Sequence, residues 1–117
     1  MSQERQRKPD ILQGTLDLMV LKTLTAMGPM HGYGLARRIE QLSDDAMQIS
    51  QGTIYLCLVR LVQKGWIRAE WGTSENNRKA KFYSISKAGG KQLVKETQNW
   101  ERVAGIIGRL LQLGTRG

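Results

Sequence analysis

The chain has 117 residues, 40% hydrophobic and 24% charged, a length that fits one domain and a balance too apolar for a disordered tail. Its 18 Lys and Arg outnumber 10 Asp and Glu, giving a net charge of +8, so anionic partners lead. One cysteine and one histidine exclude an intrachain disulfide and a zinc site built on Cys/His clusters. No acid/base pair, activated nucleophile or phosphate loop points to an enzyme, and neither a metal nor a cofactor is implied.

No apolar run approaches the ~18 residues of a membrane span, because Lys22 and Thr23 interrupt the best candidate after Leu21. The first ten residues have charges but no apolar stretch behind them, so a secretory signal is not expected. A soluble protein of the reducing cytoplasm is the default expectation, with no membrane partner. The basicity is local. Between residues 60 and 91, Arg60, Lys64, Arg68, Arg78, Lys79, Lys81, Lys87 and Lys91 face only Glu70 and Glu75, which places the polyanion contact on one surface.

In chain order, residues 1–10 are polar and include Pro9; they read as a flexible arm. From Ile11 to Met27 the apolar residues are too many for a single helical stripe, which predicts a helix with two buried faces. Gly28-Pro29 ends it, and His31-Gly32-Tyr33-Gly34 forms a short connector in which His31 is expected to cap or fill the turn. A second, one-sided helix carries Leu35, Ile39 and Leu42 and breaks at Ser43-Asp44-Asp45. Ser50 is placed to cap a third helix over about residues 51–64, with Ile54, Leu58, Leu61 and Val62 inward and Gly65 closing it.

After Gly65 the period changes to two, with Ile67, Ala69 and Trp71 alternating with polar residues, and Tyr83 and Ile85 doing the same. Two strands are predicted, joined through a polar stretch containing Asn76-Asn77, residues that tolerate left-handed turns. Ser86 then caps a final helix to about Leu113, in which Leu93, Trp100, Val103, Ile107 and Leu110 follow 3-and-4 spacing. At ~1.5 Å per residue that helix is roughly 40 Å long, too long to bury against three short helices. A second copy is expected to cover it.

The predicted fold is mainly α (α+β): a winged helix-turn-helix over residues 11–86 and a long dimerisation helix over 87–117. Such a fold lays its third helix in a major groove ~12 Å wide, helix N-terminus toward the base edges. With Ile54 inward, Gly52, Leu56, Val59, Arg60 and Gln63 turn outward, with Thr53 and Tyr55 on the flanks. The expected DNA contacts are Tyr33, Gln51, Gly52, Thr53, Tyr55, Leu56 and Arg60 from the helices, and Arg78, Lys79 and Lys81 from the wing. Several have plainer readings: Tyr55 packing on the hairpin, Leu56 lying against a neighbouring helix, Tyr33 filling a gap, Arg78 and Lys79 on a solvated loop. Cys57 reads as a small buried hydrophobe, and a redox sensor would need exposure and a lowered pKa. Gly105 and Gly108 inside the last helix mean either fraying or a close approach of backbones.

The segments HGYGL (31–35), GTIY (52–55) and EWG through KFYSISKAG (70–89) resemble PadR-type transcriptional regulators. The resemblance implies a homodimeric winged-helix repressor on double-stranded DNA whose C-terminal helix pairs with its mate and with helix 1. Leu16, Val20, Leu93, Trp100, Val103, Ile107 and Leu110 are the expected interface. Some members of that family bind planar drugs between the C-terminal helices against an aromatic wall, so Trp100 is a candidate contact for a planar aromatic effector; the alternative is a core tryptophan packed on helix 1. The family commonly has Pro-Ala after the tyrosine of its GT-hydrophobic-Y motif, where this chain has Leu56-Cys57. Competing functions are a basic RNA-binding or ribosome-associated module and a winged-helix protein-interaction domain. The dimer seam favours duplex DNA over single strands.

Overall fold

A computed structural model describes residues 13–114; the predicted arm at 1–10 lies outside them. The element order is α1 (Gln13–Met27), β1 (Met30–His31), α2 (Gly32–Leu42), α3 (Gln51–Gln63), β2 (Ile67–Thr73), β3 (Lys79–Ile85) and α4 (Lys87–Leu111). The three strands form one antiparallel sheet in the order β1-β3-β2. In the hairpin, Ile67 pairs with Ile85, Ala69 with Tyr83, Trp71 with Lys81 and Thr73 with Lys79. This is the winged-helix arrangement expected from the sequence.

The predicted helix boundaries follow from local hydrogen bonding. Ser50 Oγ accepts from Thr53 N at 3.1 Å and Ser86 Oγ from Gly89 N at 3.0 Å, each satisfying an orphan donor of the first turn. At the end of α3, Trp66 N donates to Leu61 O at 3.1 Å and Gly65 N to Val62 O at 2.9 Å. With Gly65 at φ 78°, this is a Schellman closure that a residue with a Cβ would strain. The hairpin turns through Asn77 at φ 61°, where Ser74 N donates to Arg78 O at 2.8 Å.

The core lies between the helices and one face of the sheet. Leu16, Val20, Leu21 and Leu24 of α1 meet Leu35, Ala36 and Ile39 of α2, Ile54, Cys57, Leu58 and Leu61 of α3, and Ile67 and Tyr83 of the hairpin. The dimer expectation needs correction here. Leu16 and Val20 are buried within the protomer, so they have no surface left for a partner. The α1 flank that faces α4 consists instead of Leu18, Met19 and Lys22, which with Leu93, Val94, Thr97 and Gln98 line a groove of about 510 Å3. Helix 1 does have two apolar faces, but the pair chosen from the sequence belongs to the inner one.

Two features had no sequence signal. Strand β1 pairs Met30 with Tyr83 and His31 with Phe82, adding a third strand that ends at His31, while the rest of the expected connector, Gly32-Tyr33-Gly34, is already the first turn of α2. His31 still caps α2, its Nδ1 accepting from Gly34 N at 3.0 Å, while its ring meets Phe82 edge-on at 5.7 Å. Helix α4 also starts under a tight constraint. A Cβ on Gly89 would lie 1.9 Å from Trp66 O, so only glycine lets this turn seat against the end of α3. Farther along, α4 runs unbroken through Gly105 and Gly108.

Candidate nucleic-acid interface

Side chains at the start of α3 stand clear of the protein because its buried residues, Ile54, Cys57, Leu58 and Leu61, occupy only one side. Gln51, Gly52 and Thr53 are exposed, and Tyr55 and Leu56 are 59% and 63% exposed. The plainer readings of Tyr55 as hairpin packing and of Leu56 as covered by a helix therefore do not hold within one chain. The turn that presents α3 is fixed by Glu40, whose carboxylate accepts from Ile49 N at 2.8 Å and from Arg37 Nη1 at 2.9 Å. These bonds, the one to Ile49 foremost, hold the Glu40 carboxyl below its usual pKa.

Tyr33 projects from the first turn of α2 and is exposed. It lines one side of a cleft of about 410 Å3, together with Gln51 and Tyr55 of α3 and with Arg78, Lys79 and Lys81 of the wing. The structure thus brings Tyr33, the α3 N-terminus and the three wing cations around one concavity. Tyr83 closes its floor; burial first, and then the neighbouring Tyr55, push the Tyr83 phenol above its usual pKa. Hydroxyls and cations converging on one open cleft suit an anionic backbone.

Arg60 is the expected contact that the structure withdraws. Its Nη2 lies 2.6 Å from Asp17 Oδ1 in α1, and its Nε is buried without a partner. The Cα sits on the shoulder of α3 one turn beyond Cys57, and the side chain is long enough to fold back to the buried carboxylate rather than reach outward. Asp17 itself gave no sequence signal, yet at 5% exposure it would be a costly lone charge without this guanidinium. Cys57 is buried as expected, with its Sγ donating to Asp17 Oδ1 at 3.3 Å. Burial foremost, with Asp17 adding, pushes its pKa up to about 12, the opposite of what thiolate chemistry requires.

On α4, Trp100 is 53% exposed, and Ile106, Ile107, Leu110 and Leu111 are also open, as is Leu113 just beyond the helix, while Leu93 packs partly on the core and Val103 is half-buried. The helical wheel gathers Trp100, Val103, Ile106, Ile107 and Leu110 on one arc, an apolar surface unlike that of a stable lone helix. Among the described residues no cluster of three His, Cys, Asp or Glu is placed to hold a metal, and no helix is long and apolar enough to cross a membrane.

A model of the transcriptional regulator PadR-like family matches residues 20–95. The chain belongs to the PadR-like family. The fold agrees with solved PadR-like and related regulators. A PadR-like transcriptional regulator from Bacillus cereus is 28% identical with a TM-score of 0.73, covering 86% of this chain and 95% of its own. A transcriptional regulator from Clostridium thermocellum is 26% identical with a TM-score of 0.75, covering 83% and 93%. An uncharacterised protein of Lysinibacillus sphaericus is 29% identical over 86% of this chain and 91% of its own length. PadR-like proteins are transcriptional regulators, and this one is assigned with them to DNA-binding control of transcription. Its match takes in α2, α3 and the whole wing, the elements that build the cleft.

Proposed function

We propose that the protein is a cytoplasmic homodimeric repressor that places two α3 helices in adjacent major grooves of a palindromic operator. The observation that carries this reading is the pairing of an open, cation-lined cleft at Tyr33, Tyr55, Arg78, Lys79 and Lys81 with an uncovered apolar arc along α4. The first suits duplex DNA and the second suits a copy of the same chain. Gln51, Gly52, Thr53 and Leu56 meet base edges in this reading, Leu56 as an apolar contact for a thymine methyl. Tyr33, Tyr55 and the wing cations hold the backbone. Leu93, Trp100, Val103, Ile107 and Leu110 form the dimer seam together with the α1 flank at Leu18 and Met19.

Relief of repression follows from the same seam. The exposed Trp100 supports an effector site for a planar aromatic molecule, since two-fold symmetry sets two indoles across one interface. Such a ligand acts only by favouring a dimer whose α3 spacing misfits the operator, because equal affinity for both geometries shifts nothing.

The test is a titration of duplex DNA from the region upstream of the protein's own gene, with light scattering on the free protein. Expected are a dimer, a protected palindrome and an affinity that falls steeply with salt, by about −0.9 in log–log slope per phosphate neutralised. Arg78→Ala or Lys79→Ala should flatten that slope and weaken all sequences alike, whereas Leu56→Ala should change sequence preference. Equal binding to single-stranded RNA and to duplex DNA would replace this reading by the RNA-binding one. For the effector, planar aromatic compounds should quench wild-type fluorescence more than that of Trp100→Phe and lower operator affinity; failing both, the effector site is discarded.

A further inference from the structure

The hairpin carries a second exposed tryptophan in a setting unlike that of Trp100. Trp71 shares its strand parity with Ile67 and Ala69, and Lys81 and Lys79 share theirs with Tyr83 and Ile85. One sheet face is therefore apolar and packed at its inner half, and at its outer half bears Trp71, Thr73, Lys79 and Lys81. Core packing ends before Trp71, which is 66% exposed. Its cross-strand partner Lys81 places Nζ 5.4 Å from the ring centroid, a cation–π contact. Lys79 and Lys81 of this face also line the cleft shared with Tyr33 and Tyr55.

Packing explains nothing about this indole. An exposed ring of this size keeps apolar surface in water without return, unless something covers it. The patch's own chemistry selects the occupant: a flat apolar ring with an Nε1–H donor, flanked by two ammonium groups on the same face and contiguous with a cationic cleft. A protein-docking aromatic is better served by an apolar surround, whereas a sugar–phosphate strand presents an apolar deoxyribose between two anions. We propose that Trp71 is a DNA-contacting residue of the wing, its ring lying on a deoxyribose while Lys81 and Lys79 hold the flanking phosphates. This rests on the DNA-binding reading given above and adds to it an uncharged contact.

The absence of charge makes the contact separable. An indole releases no condensed counterions, so its loss lowers affinity without changing the salt dependence, whereas the loss of a lysine changes both. The experiment uses the full chain with tryptophan 66 and tryptophan 100 both replaced (Trp66→Phe, Trp100→Phe), leaving Trp71 as the reporter, and a duplex of the operator as probe. Saturating duplex should shift and quench its emission. In the otherwise native chain, Trp71→Ala should weaken duplex binding by about tenfold with the salt slope unchanged, Trp71→Leu should retain part of that affinity, and Lys81→Ala should lower the slope by about 1.8, about 0.9 for each of the dimer's two wings. Because Trp71 is mostly exposed, thermal melting of the variants should match wild type, and the emission readout holds even where a variant is destabilised. Unchanged emission at saturation, or Trp71→Ala affinity equal to wild type while wild type binds duplex, overturns the Trp71 contact and leaves the regulator reading intact. Absence of duplex binding by the wild type overturns both.

Discussion

The Asp17–Arg60 pair predicts an asymmetric response to substitution. Asp17 is 5% exposed, and its carboxylate holds the Arg60 guanidinium at 2.6 Å and the Cys57 thiol at 3.3 Å. The Arg60 side chain is a quarter exposed, so on losing its partner it can turn its charge to water. The carboxylate has no such exit. Arg60→Met strands a buried anion with one weak thiol donor and should cost about 3–5 kcal/mol, the range for breaking a buried pair. Asp17→Asn keeps an acceptor at the same place and should cost only about 1–3 kcal/mol. Removing both charges with Asp17→Leu and Arg60→Met should recover most of the loss, because well-packed apolar replacements of a buried pair are often neutral. Urea denaturation at one fixed protein concentration reads this directly, since any dimer makes the midpoint concentration-dependent. With a urea slope of about 2 kcal/mol/M, Arg60→Met should move the midpoint by roughly 2 M. At temperatures where it stays folded, its duplex affinity and salt slope should match wild type, because the side chain does not reach the α3 recognition face. The reasoning fails if Asp17→Asn costs as much as Arg60→Met, or if the double variant is no more stable than Arg60→Met.

Three further outcomes are expected. Gly89→Ala should cost several kcal/mol and loosen α4, because its Cβ would meet the Trp66 carbonyl at 1.9 Å with only backbone to give way, whereas Gly90→Ala, with nothing within 4 Å, should stabilise by about 0.5–1 kcal/mol; paired thermal melts compare them. Cys57, with its pKa pushed up to about 12 by burial, should resist alkylation in the native state at neutral pH. Its burial contributes stability in full below the ordinary thiol pKa, and this is lost as pH rises from about 9 toward 12, so Cys57→Ala should lose less stability than wild type over that window in alkaline denaturation series. Val103→Glu with Ile107→Glu should give monomer or aggregate by light scattering, since the seam would then bury unpaired charge; a soluble dimer of that variant excludes the α4 interface.

Much of the architecture was legible because its signals are local. Ser50, Gly65 and Ser86 mark helix ends through bonds made within a few residues, and the change of period after Gly65 separates strand from helix. What escaped depends on contacts distant in sequence. Strand β1 has only two residues, too short for any period, and exists because β3 passes beside it. A helical wheel places Cα atoms, so it set Arg60 outward without showing that the guanidinium folds back to a carboxylate 43 positions earlier. The count of apolar residues in α1 implied two buried faces without telling which met the core, so Leu16 and Val20 went to the wrong one. Trp71 alternates in step with Ile67 and Ala69, and only the extent of the helical layer shows that the core stops short of it.

The joint where the hairpin begins and ends also has a mechanical consequence. Ser86 N donates to Trp66 O at 3.0 Å, Ser86 Oγ donates to Gly65 O at 2.7 Å, and Gly89 seats against the same Trp66 carbonyl. The last turn of α3 and the first turn of α4 are thereby riveted together, with the wing hanging from the rivet as a closed loop. Trp100 stands roughly 16 Å along the helix axis from Gly89 at ~1.5 Å per residue, so α4 is a lever arm pivoted at the tail of α3. A push on the arm reaches the chain leaving α3 through these two hydrogen bonds, whereas lengthening the hairpin at its 74–78 tip leaves the pivot untouched.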